Sequence, residues 1–365
     1  MHILPMNKMS GAEKMALLTC CNLNKYEPIV VCGGDELKKA FDYKNIKTYA
    51  MSFSKNDFLK TLNHLSSLIK ENNIEIVHCH DNTASMYGYI LKKIFKTKIK
   101  VISHIHNCYP WVKDGGINKK IDSIFRPKYD FNITCGSKVY DFYNQYTTYF
   151  NKDKTVSLSN AMDIKGIINV DYKDIENIKK QYNIPSDKKI LGFIGRLSEQ
   201  KGIIPFIKEF AKYKEQFKDC KVLLVGNGEQ EDLVKELINE LELKDIFILA
   251  GFQKDIYKFY PIIDVLFLPS IYEGLPMVLL EAMSFKKPVV SMNVGSINEL
   301  VTKETGLLIE SGNYEEFIKG LAKVKDNEDM AKKYSVNGYN FVEQKYNIKH
   351  YVKDIESVYD SVLNV

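Results

Sequence analysis

Two glutamates separated by seven residues, Glu273 and Glu281, have the spacing to bind hydroxyl groups beside a phosphate. Pro276 between them suits the first turn of a helix, so Glu273 is predicted just before that helix and Glu281 about one turn inside it. From Met277 onward, the free N–H groups of this turn can bind phosphate, and the carboxylates can accept hydrogen bonds from sugar or ribose hydroxyls. Glu281 lies among apolar residues, and an unpaired buried carboxylate is costly, which favours a functional partner.

A second group with phosphate-binding character is Gly195-Arg196-Leu197-Ser198-Glu199-Gln200-Lys201-Gly202, set between an apolar strand and a helical pattern. Two cations and the free N–H groups of a helix start can meet a diphosphate there. The spacing is not that of a P-loop. Taken alone, the same cluster is also typical of side chains that cap and solvate a loop.

Two further loops follow apolar runs in the second half of the chain. Gly226-Asn227-Gly228 allows close approach of backbone to a ligand, but the third glycine of a dinucleotide fingerprint is replaced by Glu231, which disfavours a nicotinamide enzyme. Phe252 and Gln253 follow another run and offer a nucleobase an aromatic face and an amide, together with main-chain groups.

Two histidine pairs, His78 with His80 and His104 with His106, end strands in the first half. Strand alternation places His104 and His106 on one face, at the carboxyl end of their strand. Together with Cys108 and Asp81 they could chelate a divalent metal, which would indicate a metallohydrolase. The alternative for His78 and His104 is a polar strand end bonded to nearby backbone.

Short β-branched runs alternate with helical patterns and must position these groups, which predicts an α/β fold of two parallel sheets. The alternation of apolar runs and helical patterns pauses between about residues 140 and 188, where Ser159-Asn160-Ala161 forms a turn. We therefore expect a domain of residues 1–165, a second of residues 166–346, and an amphipathic closing helix over 347–365. Ligand loops should lie at the carboxyl ends of the strands.

Composition adds constraints on location and partners. The seven cysteines show no paired spacing, no apolar run is long enough to span a membrane, and the start lacks a signal peptide, so a cytoplasmic protein is expected.

Residues 1–170 hold 24 Lys and Arg against 15 Asp and Glu, a balance of +9, whereas the remainder has a balance of −4. The basic half indicates an anionic partner or a solvated lysine surface. Its densest runs are Lys92, Lys93, Lys96, Lys98 and Lys100, then Lys119, Lys120, Arg126 and Lys128.

Three motifs follow one another along the chain: Gly-Arg, four residues, Lys-Gly; then Gly-x-Gly-Glu; then Glu, seven residues, Glu. This ordered set resembles the retaining glycosyltransferases of family 4, which have the GT-B fold. The resemblance covers essentially the whole chain. It includes Ser159-Asn160-Ala161-Met162-Asp163, similar to the family's Asn-Gly-x-Asp. The Ser10-Gly11-Ala12-Glu13 loop is similar to the family's Gly-Gly-x-Glu, although Ser10 replaces the first glycine.

The resemblance assigns roles to residues of both halves. His106 matches a histidine that reaches the transferred sugar, and Glu273 holds sugar hydroxyls. Arg196 and Lys201 neutralise the departing diphosphate, and Glu281 holds the ribose. The implied catalytic residues are His106, Arg196, Lys201 and Glu273. The implied donor-binding residues are Gly11, Arg196, Lys201, Gly226, Phe252, Gln253, Glu273, Gly274, Met277, Val278 and Glu281.

The implied reaction moves a hexosyl group from a nucleoside diphosphate sugar, with UDP favoured because it is common, to a glycan or polyprenyl-linked acceptor in capsule, O-antigen or other cell-surface polysaccharide synthesis. We expect retention at the anomeric carbon. We expect no metal or other cofactor and no nucleic-acid partner. The lysines are expected to make peripheral contact with anionic membrane. The alternatives are a sugar-nucleotide epimerase on the same fold, a metal-dependent hydrolase, and a catalytically silent binding subunit.

Overall fold

The computed structural model describes residues 1–94 and 98–364, and the chain divides into two compact units. Unit 1 comprises Met1–Ala161 and Ile348–Val365, and unit 2 comprises Met162–Asn347. The chain leaves unit 1 four residues before the boundary expected at 165. Within unit 2, the first and last residues are joined, because Met162 pairs with Asn347 in a parallel bridge.

Unit 1 is built on a sheet of seven parallel strands in the order β3-β2-β1-β4-β5-β6-β7. The strands are β1 His2–Leu4, β2 Ile29–Cys32, β3 Lys47–Ala50, β4 Ile76–His80, β5 Lys100–Ile105, β6 Phe131–Thr134 and β7 Thr155–Ser157. The helices are α1 Gly11–Asn22, α2 Asp35–Asp42, α3 Phe58–Glu71, α4 Asn82–Ile94, α5 Pro110–Asp114, α6 Ile117–Phe125 and α7 Ser137–Tyr146, with the closing helix given below.

Unit 2 holds a sheet of six parallel strands in the order β10-β9-β8-β11-β12-β13. The strands are β8 Lys189–Ile194, β9 Cys220–Val225, β10 Phe247–Gly251, β11 Val265–Leu268, β12 Val289–Asn293 and β13 Leu307–Glu310. The helices are α8 Ile164–Ile167, α9 Tyr172–Gln181, α10 Ile203–Lys212, α11 Glu231–Glu240, α12 Met277–Ser284, α13 Ile297–Leu300, α14 Tyr314–Asp326 and α15 Glu328–Lys345.

The closing helix α16, Ile348–Leu363, belongs to unit 1. It buries an apolar face that includes Val352, Ile355 and Tyr359. Glu356 fixes the helix against the segment that follows α1, because its carboxylate accepts the backbone N–H groups of Asn24 and Lys25 at 2.6 and 2.8 Å. A buried carboxylate that accepts two N–H groups gives the helix one docking position.

The two parallel sheets predicted from the alternation of apolar runs and helical patterns are confirmed. Strands such as β11 are buried at every position, as expected of parallel strands covered on both faces. The prediction that strands and helices pause between 140 and 188 is wrong, because this segment contains the end of α7 and all of β7, α8 and α9. These elements are short or half-buried, so their apolar pattern is weak.

The lysines of the first half do not form one surface. Lys92 pairs with Asp130 at 2.6 Å and is only a quarter exposed, and Lys96 lies outside the described residues. Arg126 is not a surface cation at all, because it is fully buried against Asp122 at 2.7 Å. Among the described residues, no helix is both long and apolar enough to cross a bilayer.

Candidate active site

Three loops of unit 2 that carry predicted site residues follow β8, β9 and β10 at the carboxyl edge of the sheet. The loop after β8 packs on the loop after β9: Leu197 donates its N–H to the Asn227 carbonyl at 2.9 Å. Gly226 has φ +132°, and a Cβ there would lie 1.9 Å from the Gly195 carbonyl oxygen. Only glycine permits this contact, which brings the Arg196 loop against the next strand.

Arg196 lies at the surface of this edge, with 64% of its side chain exposed. Its guanidinium contacts the Glu229 carboxylate at 3.0 Å, and Glu229 is also more than half exposed. A solvent-exposed pair of this kind contributes little to stability and exchanges readily for a stronger anion. The guanidinium is therefore available to a phosphate.

Lys201 and Glu273 form the buried centre of the site. The Lys201 ammonium contacts Glu273 Oε1, and their side chains are only 16% and 6% exposed. Ser270 donates to the same oxygen at 2.7 Å, and Gln200 Nε2 donates to Oε2 at 3.4 Å. The fold thus joins the Lys201 turn after β8 to the segment after β11, and it compensates the buried carboxylate with three donors.

Helix α12 begins directly after this carboxylate. Pro276 occupies the N-cap position, so its predicted place in the first helical turn is wrong by one residue. No side chain caps the helix, although the Leu279 N–H bonds to the Pro276 carbonyl at 3.2 Å. The Gly274 carbonyl accepts the Ser296 N–H at 2.8 Å, which holds the approach to the helix. The helix start therefore offers the N–H groups of Met277 and Val278 to an anion.

Glu281 lies one turn into α12, as predicted, and is 1% exposed. Its environment corrects one step of the sequence argument, because the carboxylate is not unpaired. Tyr260, from the short 3-10 helix before β11, donates its hydroxyl to Glu281 Oε2 at 2.5 Å. The pairing was not evident from the sequence because the two residues lie 21 positions apart. Burial and the adjacent carboxylate raise the pKa of Tyr260 well above its usual value, so the phenol stays a donor.

The loop after β10 carries the residues predicted to meet a nucleobase. Phe252 is half exposed. The Gln253 amide donates to the Ala250 carbonyl at 2.7 Å and to the Tyr182 hydroxyl at 2.8 Å. Because these bonds occupy the amide nitrogen, Gln253 shapes the loop, whereas the Phe252 ring and the main chain remain able to contact a base.

In unit 1, Gly11 is the first residue of α1, immediately after the loop that follows β1. Ser10 is the N-cap and forms a capping box with Glu13, which receives the Ser10 N–H at 3.1 Å. Ser10 therefore takes the place of a glycine without a positive φ, since its backbone is extended at φ −133°. Gly11 lies at the exposed start of the helix.

Five histidines form a row in unit 1: His2, His78, His80 and His104 are buried in β1, β4 and β5, and the half-buried His106 directly follows β5. His2 bonds to His80 (Nδ1 to Nε2, 2.9 Å), His80 to His106 (Nδ1 to Nε2, 3.0 Å) and His78 to His104 (Nε2 to Nδ1, 3.1 Å). Tyr359 of α16 joins the two branches, at 2.7 Å from His78 and 3.4 Å from His2. Neither His78 nor His104 is the backbone-bonded strand end that the sequence left open.

Burial lowers the pKa of every histidine in the row, with His2 and His106 at about 3. The lowered pKa favours the neutral imidazole of His106 at pH 7, in which Nε2 bonds to His80 and Nδ1 is the second hydrogen-bonding atom. Within the described part of the chain, two sets of histidines could hold a metal: His2 with His78 and His80, and His80 with His104 and His106. Coordination would have to displace the bonds between these rings.

Arg126, grouped with the surface cations on the basis of sequence, is bonded to Asn82 in unit 1, a pairing that the sequence did not indicate. Arg126 Nη2 donates to Asn82 Oδ1 at 2.7 Å, while Nε bonds both Asp122 oxygens at 2.9 Å. Asp81, just after β4, has φ +127°, and burial raises its pKa to about 7. The spacing of Asp122 and Arg126, one helical turn apart, was the available signal for a buried pair.

Comparison with known proteins now identifies the class. Residues 9–165 match the family described as Glycosyltransferase Family 4, and residues 174–341 match Glycosyl transferases group 1. The chain belongs to this family of GT-B glycosyltransferases, and it is a transferase enzyme. The family is not one of epimerases or metal-dependent hydrolases, so neither alternative is favoured.

Relatives and solved structures agree with the assignment. The UDP-Gal:alpha-D-GlcNAc-diphosphoundecaprenol alpha-1,3-galactosyltransferase of Escherichia coli is 26% identical over 309 residues, 80% of this chain and 78% of that protein. The N-acetyl-alpha-D-glucosaminyl L-malate synthase of Bacillus anthracis is 22% identical over 302 residues, 82% and 78% of the two chains. The crystal structure of Anabaena Alr3699/HepE with UDP and glucose has the same fold, with a TM-score of 0.86, 19% identity and coverage of 99% and 98%.

Proposed function

We propose that the enzyme transfers a hexosyl group from a UDP-sugar to a hydroxyl of a glycan or lipid-linked acceptor, with retention, in cell-surface polysaccharide synthesis. The name of the E. coli relative supports the donor and the lipid carrier. The capsular polysaccharide biosynthesis glycosyltransferase CapM of Staphylococcus aureus, 27% identical over 187 residues, 51% of this chain and 49% of that protein, supports the pathway. HepE complexes with UDP and UDP-glucose support uridine as the base.

The buried Lys201–Glu273 pair beside the start of α12 carries the proposal. A nucleotide sugar presents hydroxyls and phosphates next to each other, and this edge presents a carboxylate, an ammonium and free helix N–H groups next to each other. Glu273 accepts hydrogen bonds from sugar hydroxyls, and Lys201 turns its remaining donors to the diphosphate. Glu281 holds the ribose, with Tyr260 fixing the orientation of its carboxylate.

The chemical step needs stabilisation of the charge that develops on the departing diphosphate. Arg196 and Lys201 supply two cations, and the N–H groups of Met277 and Val278 supply a helix terminus. Loss of one such donor in other enzymes costs about 2.7 to 4 kcal/mol of barrier. Because these groups can neutralise the phosphates, we infer that the reaction needs no metal.

Retention fits a front-face route. A double displacement would need a carboxylate on the face of the sugar opposite the leaving group. In the route we propose, the bond from the anomeric carbon to the phosphate oxygen breaks, the acceptor oxygen bonds on the same face, and the departing phosphate takes the acceptor proton. Neutral His106 contacts the transferred sugar as a hydrogen-bonding partner.

A thermal-shift titration with UDP, GDP and ADP tests donor binding. A nucleotide that binds only the folded state raises the melting temperature by mass action, so UDP should give the largest shift. The shift should fall in a Lys201→Ala variant and persist in Lys212→Ala, which changes an exposed lysine of α10. No shift with any nucleotide would contradict the proposal, and a larger shift with GDP or ADP would reassign the base.

A further inference from the structure

A cavity of about 280 Å³ lies at the carboxyl edge of the unit 1 sheet. Its walls come from the start of α4, from α5 with the residue before it, and from α6. The wall includes Asp81, Asn82, Tyr109, Trp111, Asn118 and Ile121. The volume is near the lower end of the range for small-molecule sites, so the space suits one sugar ring rather than an oligosaccharide.

One wall of the cavity is aromatic and held in place. The rings of Tyr109 and Trp111 are stacked with centroids 5.6 Å apart and planes 14° from parallel. Trp111 also packs edge-on against Tyr143, which is fully buried. A flat aromatic surface in a fixed position packs well against the C–H face of a pyranose.

Asp81 and Asn82 give the cavity polar groups, and each side chain is oriented by a buried partner. The Asn82 carbonyl oxygen accepts from Arg126, so its amide N–H groups point away from that bond. Asp81 accepts the Ala84 N–H at 2.7 Å through Oδ1 and holds a positive φ of +127°. Such strain costs on the order of 1 to 3 kcal/mol and persists where the surroundings impose it, which is typical of ligand sites.

Helix α6 continues the cavity wall into an exposed apolar stripe. Ile117, Ile121 and Ile124 lie at positions i, i+4 and i+7, with 70%, 37% and 54% of each residue exposed. Ile121 belongs to both the stripe and the cavity. Lys120, also exposed, flanks the stripe on the same helix. The arrangement is apolar with a cation at its margin, which complements an acyl or prenyl chain attached to a phosphate.

We propose that this cavity binds the acceptor's terminal sugar, stacked on Trp111 and hydrogen-bonded by Asp81, Asn82 and Asn118, and that the α6 stripe contacts the lipid carrying it. The inference rests on the proposed function and deepens it, because it selects a lipid-linked sugar over a free glycan. Arg126 is a positioning residue, acting on the sugar only through Asn82.

Trp111 is the only tryptophan of the chain, so its fluorescence reports on this cavity alone. The probes are methyl and octyl pyranosides of glucose, galactose and N-acetylglucosamine, held below their micelle concentrations. We expect a saturable change in emission with at least one sugar, and tighter binding of its octyl form. If no pyranoside changes the emission, the sugar site is overturned.

Variants separate the two parts of the site. Trp111→Ala should lower transfer to the preferred octyl glycoside about tenfold or more, Trp111→Phe should restore part of it, and both should retain the UDP-induced thermal shift. Ile117→Ser with Ile124→Ser should reduce the preference for octyl over methyl glycosides. The control Leu59→Ser, at an exposed position of α3, should keep that preference.

The outcomes distinguish this inference from the proposed function. If UDP binds and Trp111→Ala transfers at the wild-type rate, the acceptor site is elsewhere while the donor assignment stands. If UDP does not bind but a glycoside changes the Trp111 emission, the sugar site stands and the donor proposal fails. An octyl preference unaffected by the isoleucine substitutions would contradict the lipid contact.

Discussion

At the scale of single residues, Arg196 and Lys201 are both predicted to neutralise the diphosphate, yet they differ in burial. Arg196 pairs at the surface with Glu229, whereas Lys201 is held with Glu273 inside a network of donors. The same loss of function should therefore come with different effects on stability. This difference makes two sets of variants informative.

Arg196→Ala should lower turnover by about 10²- to 10³-fold, because one donor to the leaving group is lost. Its free energy of unfolding should change by less than about 1 kcal/mol, since the pair with Glu229 is exposed. Arg196→Lys should recover only part of the turnover, because an ammonium lacks the planar fork that holds two phosphate oxygens. Steady-state kinetics and urea unfolding provide both readouts, and full activity of Arg196→Ala would remove Arg196 from the mechanism.

Lys201→Ala should lower turnover similarly and also destabilise the fold by about 3 to 5 kcal/mol, because it leaves the buried Glu273 carboxylate without its cation. Adding Glu273→Gln should recover stability, since the uncompensated charge is gone. It should not recover activity, because neither the cation nor the carboxylate returns. A double variant that regained activity would show that Lys201 acts only by supporting the fold.

At the scale of elements, the histidine row links strands β1, β4 and β5 to helix α16 and should make unit 1 sensitive to acid. Burial holds the pKa of each of these histidines below the ordinary value of 6.5, so below that pH these side chains bind more protons in the unfolded chain than in the folded one. Stability should be complete above about pH 6.5 and fall progressively toward pH 3.

Urea unfolding between pH 7.5 and pH 4.5 measures whether stability falls as the pH is lowered, and variants show whether the histidine row causes the fall. His104→Gln should flatten the decline, because it removes one group that is protonated on unfolding. The controls His64→Gln and His350→Gln change exposed histidines and should keep the wild-type slope. If His104→Gln declines in parallel with the wild type, the row is not the origin of the acid sensitivity.

Elements whose side chains are uniformly apolar could be predicted closely. β11 begins and ends where its Val-Leu-Phe-Leu run does, at Val265–Leu268. β7 was missed because its three residues are half-buried and carry no clear pattern. The run Ile74-Glu75-Ile76-Val77-His78 predicts a strand that begins at Ile74, whereas β4 begins at Ile76 and extends to His80. Polar histidines are accommodated inside the strand by bonds to other histidines.

The sequence also predicts the local arrangement of the site residues but not their distant partners. The local order of Arg196, Lys201, Glu273 and Glu281 is visible in the sequence, and so is their placement at strand ends. Partners distant in sequence are not visible: Tyr260 for Glu281, and Asn82 for Arg126. Arg126 was grouped with surface lysines because composition gives charge but not depth.

At the scale of the whole molecule, we propose that basic residues of unit 1 dock the enzyme on anionic membrane. Each Lys near such a surface contributes about 1 kcal/mol, screened by salt. Lys119 and Lys120 lie on α6 beside the proposed lipid contact, whereas Lys98 and Lys100 lie at the start of β5, at the amino edge of the sheet. The two groups can therefore be tested separately.

Flotation with equimolar phosphatidylglycerol and phosphatidylcholine vesicles should recover the enzyme, and pure phosphatidylcholine vesicles should not. Lys119→Gln with Lys120→Gln should weaken binding, as should the triple change of Lys93, Lys98 and Lys100 to Gln. Changing Lys212, Lys218 and Lys235 of unit 2 to Gln removes as many charges as the triple variant and should leave binding intact. Equal recovery with both vesicle types, or none with anionic vesicles, would exclude electrostatic docking.

Retaining, metal-independent transfer is tested most directly by the product formed from α-linked UDP-glucose, UDP-galactose and UDP-N-acetylglucosamine with the octyl glycoside acceptors, with and without EDTA. Proton NMR of the new glycosidic bond gives its anomeric configuration, and UDP release is measured in parallel. We predict an α-linked product from at least one donor, one UDP released per bond formed, and the same rate with EDTA. Retaining, metal-independent transfer would be contradicted by a β-linked product, by isomerised donor without UDP release, by no turnover of any donor, or by a rate abolished by EDTA and restored by zinc.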